Sequence, residues 1–318
     1  MPTCRSLASP GTWGGADLFA KCGCGPGSGH NHPMRTPTIL SISSQVVYGH
    51  VGNSAIVPAL QALGCEVLAL PTVLLAHHPG HGPPKGRSTP GEELASLLDG
   101  LDQVGALAGA SAMLSGYLGR AENALVAADA IVRLRKYRAG ALYLCDPVIG
   151  DDGRVYVSEG VEDAIRTHLV PLANVLTPNH FELERLSGQR VTTLEQALAA
   201  ARALLDLGPR VVVVTSLQHA QLAEGQIATL AVTAQGAWIA TTPRLQGVPR
   251  GSGDLVAGLL LGRLVQGASV VQALALAASA VHEVLAASTG EAEMRLIEQR
   301  AVLLAPPSLA VRQLDEAA

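Results

Sequence analysis

The run Arg250-Gly251-Ser252-Gly253-Asp254, followed by the apolar stretch LVAGLLLGRL, holds the residues of this chain best suited to chemistry. Small residues let the backbone come close to an anion. A helix that starts there offers free N–H groups and the positive end of its dipole. Asp254 then has two readings. It is a first-turn carboxylate favoured by the dipole, or a base beside a phosphate cradle that takes a proton from an attacking hydroxyl. No Gly-Lys-Ser/Thr follows, so this is not a Walker A loop, and no strand with G-x-G-x-x-G opens the chain.

Three other stretches carry polar groups at informative spacings. In Thr177-Pro178-Asn179-His180-Phe181-Glu182, Asn179 and Glu182 are three apart and share a helix face. Glu182 can hold Mg²⁺ through water with Asn179 ordering the shell, or the pair is an N-terminal capping box; the two readings are compatible. In Cys145-Asp146-Pro147-Val148-Ile149-Gly150-Asp151, Asp146 ends a strand and is either a charge partner for metal and phosphate or the first residue of an Asp-Pro turn. Nothing nearby activates Cys145, which reads as a small core residue. The fourth stretch, Ser43 to Asn53, puts small hydroxyls at the end of the first strand, and Gly49 and Gly52 permit an unusual backbone path there.

Elements that would position these groups alternate from Thr38 onward. Strands are expected at 38–43, 66–70, 112–115, 141–146 and 210–215. Helices are expected at 54–63, 92–101, 121–136, 193–207, 253–266 and 269–287, with another starting at Asn179. Segments 226–233 and 237–241 suggest an antiparallel pair, and 77–90 is a long Pro/Gly loop. Strands separated by helices imply an α/β fold: a mostly parallel central sheet with helices on both faces. Ligands of such sheets bind at the carboxyl ends of the strands, so the loops following the strands are where chemistry is expected.

Composition agrees. The 318 residues are 48% hydrophobic, 15% charged and 3% aromatic, enough for one large domain with an aliphatic core. A net charge of -4 offers no basic field for nucleic acid or anionic lipid. The five cysteines (Cys4, Cys22, Cys24, Cys65, Cys145) do not suggest a disulfide framework, and a reducing cytoplasm is expected. The longest apolar stretch, 270–288, is interrupted by Gln272, His282 and Glu283 and reads as a buried helix rather than a membrane span. The N-terminus lacks the apolar core of a signal peptide. Residues 1–36 are rich in Gly, Pro, Ser and Cys and are expected to be disordered. Cys22, Cys24, His30 and His32 lack the usual spacing of a zinc site. One folded α/β domain is expected over 37–305, with 306–318 as a tail.

The stretches SQVVYGHVGNS (44–54), PTVLL (71–75), SGYLG (115–119), DPVIGD (146–151), TPNHFELE (177–184), VVVTS (212–216) and GSGDL (251–255) together resemble the vitamin B6 kinases of the ribokinase-like superfamily. GSGD is shared across that superfamily; SQVVYGHVGN is closer to the B6 kinases alone. The resemblance implies transfer of the ATP γ-phosphoryl to the 5′-hydroxymethyl of pyridoxal, pyridoxine or pyridoxamine. It implies that Asp254 is the base and that Gly251, Ser252 and Gly253 form the anion hole. Ser44, Thr72 and Tyr117 would line the ring pocket. Asp146 and Glu182 would manage Mg²⁺, and Thr177, Asn179, Thr215 and Ser216 would lie along the phosphates. A monovalent cation such as K⁺ and a homodimer are also implied. One departure stands out: the family's flap usually carries an aromatic residue, where this chain reads His77-His78-Pro79-Gly80-His81. Two rival functions remain. A hydroxymethylpyrimidine kinase shares the GSGD chemistry but not YGHVGN, and a non-catalytic B6-binding protein would not need Asp254.

Overall fold

The structure is a computed structural model that describes residues 36–314. The expected disordered segment, with Cys22, Cys24, His30 and His32, lies outside the described residues apart from residue 36. The first half of the chain runs β1 (Thr38–Val46), α1 (Asn53–Ala62), β2 (Glu66–Leu75), β3 (Gly86–Ser88), α2 (Gly91–Gln103), α3 (Ala106–Gly109), β4 (Ala112–Ser115), α4 (Glu122–Tyr137) and β5 (Leu142–Cys145). A small hairpin, β6 (Gly150–Asp151) and β7 (Arg154–Val155), leads to α5 (Val161–Ala164), β8 (Val175–Leu176), α6 (His180–Ser187) and α7 (Leu194–Leu205). Then come β9 (Val211–Leu217), β10 (Gln226–Thr233), β11 (Gly236–Pro243), α8 (Ser252–Val265), α9 (Val270–Ala287), α10 (Arg300–Leu304) and β12 (Val311–Leu314).

Ten strands form one sheet in the order β12-β11-β10-β9-β8-β5-β4-β1-β2-β3. Its centre, from β9 to β2, is parallel throughout. Both flanks are antiparallel. Central strands such as β1 and β5 are buried on both faces, as parallel strands covered by helices must be. Alternate residues of β1 therefore enter different cores. Ile39 packs in the layer with α1, α8 and α9, whereas Leu40 and Ile42 pack in the layer with α2, α4, α6 and α7. The apolar helix α9 buries Ala273, Leu274, Ala277, Ala280, Val281 and Val284 in the first of these layers, as its interrupted apolar pattern implied.

Two details differ from the sequence reading. The stretch Val311–Leu314, expected within a tail, is β12, paired antiparallel with β11 from Leu314↔Ala237 to Val311↔Ala240. Four residues following Pro306-Pro307 carry too short a pattern to be read as a strand. The loop 77–90 also contains β3, which closes the other flank of the sheet against β2.

Candidate active site

Because the central strands are parallel, their carboxyl ends share one edge of the sheet, and their order decides what lies beside what. Along that edge stand Thr72 on β2, Ser44 on β1, Tyr117 past β4, Asp146 past β5, Thr177 past β8, and Thr215 and Ser216 on β9. The expected ring, metal and nucleotide residues on or just past these strands all fall on this line. The pairing of β1 with β2 is irregular here: between Ser43↔Pro71 and Gln45↔Leu74, one residue of β1 faces two of β2. Such a bulge re-aims side chains at a strand end.

Above this edge, α8 begins at Gly251 with φ 102 and no side-chain cap, so the first amides of the helix are not covered by a capping side chain. Gly251 admits no side chain. A Cβ there would lie 2.0 Å from the His50 carbonyl oxygen and 2.9 Å from Met294 Cε. Gly253, by contrast, faces open space, with nothing within 4 Å of a Cβ. Asp254 follows one residue later. Burial raises its carboxyl to about 6, and the Gly52 N–H pulls the other way. A Cβ on Gly116, past the end of β4, would lie 3.8 Å from Asp254 Oδ1 and 2.5 Å from Ser43 Oγ, so the bare glycine keeps space in front of the carboxylate.

Asp146 is 6% exposed and takes a hydrogen bond from Thr177 Oγ1 at 3.1 Å. Burial, then the charges of Glu182 and Asp254, push its carboxyl well above the usual range. Glu182 is raised to about 8 by burial, against three backbone N–H donors. Those donors are Ile149 at 2.8 Å, Gly150 at 3.3 Å and Asn179 at 2.9 Å. Asn179 Oδ1 in turn accepts from the Glu182 N–H at 2.9 Å, which completes the capping box expected from the sequence. Glu182 thus fixes the loop after β5 as well as adding charge. Asp146, with a single donor, is the freer oxygen ligand. Burial raises all three carboxyls, and the charges of the other two raise Asp146 further.

The remaining expected residues are placed as follows. Asn179 Nδ2 donates to the Gly150 carbonyl at 2.7 Å, so both ends of its amide are engaged within the protein. Thr215 is buried, and its N–H donates to the Pro178 carbonyl at 2.9 Å. Ser216 is exposed with φ 52, a conformation uncommon for a residue with a side chain and frequent at functional sites. Thr72 Oγ1 donates to the Tyr117 carbonyl at 2.6 Å, so its hydroxyl is engaged within the protein. Tyr117 is half-buried, and burial raises its hydroxyl. Ser44 Oγ packs against Gly52, where a Cβ would come within 2.2 Å of it. Cys145 is sealed in the core and raised to about 12, in keeping with an inert role.

Two residues beyond the expected set belong to this region. Ser43 Oγ is buried without a partner beside Gly116. The serine pair was visible in the sequence, but which hydroxyl is satisfied depends on the bulge. Glu293 reaches the flap and the turn after β1 from far along the chain, and no local pattern marked it.

The chain and its fold match those of known proteins. Residues 93–295 match the family model described as phosphomethylpyrimidine kinase. A pyridoxal kinase of Rubrobacter xylanophilus is 44% identical over 273 residues, covering 85% of this chain and 94% of that protein. One of Deinococcus radiodurans is 43% identical over 261 residues, covering 79% and 88%. Among solved structures, the pyridoxal kinase of Leishmania donovani in complex with ADP and pyridoxine superposes with a TM-score of 0.82 at 29% identity, covering 87% of this chain and 99% of that one. At this identity and coverage, with the ribokinase-like sheet in place and the GSGD helix start at its ligand-binding edge, the chain belongs to the pyridoxal kinase family.

Proposed function

We propose that this protein phosphorylates the 5′-hydroxymethyl group of pyridoxal, and also of pyridoxine and pyridoxamine, with ATP, and so returns salvaged B6 vitamers to the phosphorylated cofactor form. The observation that carries the reading is the order of strands at the ligand edge. Thr72, Ser44 and Tyr117 lie on the β2-β1-β4 side, Asp146 lies at β5, and Thr177, Thr215 and Ser216 lie on the β8-β9 side. A ring site, a metal site and a nucleotide site therefore follow one another along the edge, with α8 opening over them.

In this reading Asp254 accepts the proton of the 5′-hydroxyl. The alkoxide oxygen forms a bond to the γ-phosphorus, and the bond from that phosphorus to the β–γ bridging oxygen breaks, releasing ADP. A carboxyl raised to about 6 remains ionised at neutral pH yet is basic enough to receive a proton. The first amides of α8, at Ser252 and Gly253, face the charge that spreads over the transferring group. Asp146, assisted by Glu182, would hold Mg²⁺, which supplies charge neutralisation to the phosphates. A cavity of about 400 Å³ lined by Gln218, His219, Leu222, Arg244 and Gln246 begins two residues past Ser216 and can take the nucleoside end of ATP. K⁺ as an assisting ion, a homodimer and a cytoplasmic location complete the proposal. The exposed apolar side chains Val47, Tyr48 and Leu74 at one end of the sheet are compatible with a second copy docking there.

The test is turnover with ATP and each B6 vitamer, beside the aminopyrimidine alcohol of a hydroxymethylpyrimidine kinase. Formation of ADP with pyridoxal as the best acceptor is expected. Binding of pyridoxal with no ADP formed would leave a binding protein, and preference for the aminopyrimidine would move the chain to the rival kinase.

A further inference from the structure

The flap after β2 is attached to the body of the protein in an unusual way. From residue 77 to residue 82 the described hydrogen bonds are internal to the loop with one exception. His77 Nδ1 meets the His78 carbonyl, the Gly80 N–H donates to His78 Nδ1, the His81 N–H donates to the His78 carbonyl, and the Gly82 N–H donates to the Pro79 carbonyl. The exception ends on Glu293, whose Oε1 lies 2.5 Å from His81 Nε2; His78 Nε2, buried without a hydrogen-bond partner, is 3.3 Å from the same oxygen as an ion-pair contact. The other carboxylate oxygen accepts the N–H of His50 at 3.0 Å. Glu293 is only 11% exposed at its side chain, so these donors replace its hydration.

The same carboxylate touches the machinery on its other side. A Cβ on Gly49 would lie 2.5 to 2.6 Å from the Glu293 carboxylate, so the turn after β1 closes directly onto it. The His50 carbonyl and the neighbouring Met294 side chain both close against Gly251, the first residue of the anion-hole run. The ring of His81 also lies 5.6 Å from that of Tyr48 and 4.3 Å from that of His78, so the flap meets the turn after β1 through rings as well as through Glu293.

We propose that Glu293 is the positioning residue of the substrate end of the cleft, holding the 77–82 flap and the 48–52 turn together beside Gly251 and thereby setting affinity for the alcohol substrate. The three groups His78, His81 and Glu293 also have the spacing of a metal site. The hydrogen bonding favours a latch instead. His78 Nδ1 accepts from Gly80, so the neutral ring carries its proton on Nε2, the atom aimed at Glu293. A metal on that nitrogen would require the Gly80 contact to break.

The inference rests on the kinase reading for its substrate, so its test has an arm that needs none. Amide hydrogen exchange of the full chain without ligands is compared between wild type and Glu293→Gln, with melting measured to establish that both are folded. Gln keeps the shape but presents an amide where His81 and the His50 N–H met a carboxylate. Exchange in 48–52 and 77–82 is expected to rise about tenfold, with β9 unchanged. In turnover, the KM for pyridoxal is expected to rise at least fivefold while the KM for ATP stays within twofold. His81→Ala should move both readouts in the same direction, and the double variant should add little to Glu293→Gln, as residues acting through one contact do. Unchanged flap exchange in Glu293→Gln would overturn the latch whatever the enzyme phosphorylates. An equal rise in both KM values would overturn the substrate-end role. Zn²⁺ raising the melting temperature of wild type but not of Glu293→Gln would show that the triad is a metal site.

Discussion

Thr177 Oγ1 donates to Asp146 Oδ1 across 3.1 Å, joining the ends of two neighbouring parallel strands where three carboxylates meet. Asp146 feels the charges of both Glu182 and Asp254, and burial raises all three. Glu182 spends its oxygens on backbone amides, whereas Asp254 and Asp146 have little to offset their desolvation. Ionising these carboxyls therefore costs energy that the fold offsets little, and a cation bound beside them would lower that cost.

Replacing Asp254 with Asn removes the base and keeps the shape. Turnover should fall on the order of 10²–10⁴-fold, while pyridoxal and ATP still bind, because the loss falls on the transition state. In wild type, kcat/KM should decline as pH drops through about 6, where the Asp254 carboxyl protonates. A pH–rate profile with kcat near wild type in the Asn variant would remove Asp254 from its assigned role.

The same carboxyl should cost stability. Its folded value of about 6 lies above the unfolded value near 4, so the folded state binds more protons between those pH values. Stability then falls as pH rises through that window and levels off above it. Asp254→Asn should therefore melt higher than wild type at pH 7.5, by on the order of 1–3 kcal/mol, and match it near pH 4. Melting curves of the ligand-free protein at both pH values test the sign. A variant less stable at pH 7.5 contradicts it.

Two glycines of one motif should behave in opposite ways. Gly253 has open space where a side chain would go, so Gly253→Val should fold and melt cooperatively while losing most of its rate, because the branched chain fills the approach to the helix amides. Gly251→Ala should instead destabilise, since its backbone sits at φ 102 and its Cβ would meet the His50 carbonyl at 2.0 Å. Measuring kcat and melting temperature for both separates an anion hole from an ordinary helix start, which would tolerate valine without loss of rate.

Much of this architecture was legible in the residues. The β9 run of valines and the Asn179–Glu182 spacing signal a buried strand and a capped helix through local chemistry alone, and both occur at those positions. What was not legible depends on distant partners. β12 exists only because β11 offers an unpaired edge to four residues. Ser43 and Ser44 are neighbours of the same type, and only the irregular register against β2 leaves one hydroxyl orphaned and the other packed on Gly52. Glu293 carries no motif at all; its partners are the flap and the His50 amide, more than two hundred residues away.

The ring pocket gives the last prediction. Thr72 was expected to line the pocket, and its hydroxyl is spent on the Tyr117 carbonyl at 2.6 Å. Thr72→Val is nearly the same shape but leaves that carbonyl without its donor, at a cost of about 1–3 kcal/mol in stability. Because Tyr117 would shift with it, the KM for pyridoxal should rise, while the ATP KM should hold if the nucleotide lies, as proposed, on the β8-β9 side. Thr72→Ser keeps the hydroxyl and should restore both stability and KM. Ser44→Ala should likewise raise the pyridoxal KM alone if its hydroxyl reads the ring. Side-by-side kcat/KM values for pyridoxal, pyridoxine, pyridoxamine and the aminopyrimidine alcohol then fix what the pocket recognises. A tenfold preference for the aminopyrimidine, only about 1.4 kcal/mol of transition-state energy, would overturn the B6 assignment while leaving the phosphoryl-transfer chemistry of Asp254 and α8 in place.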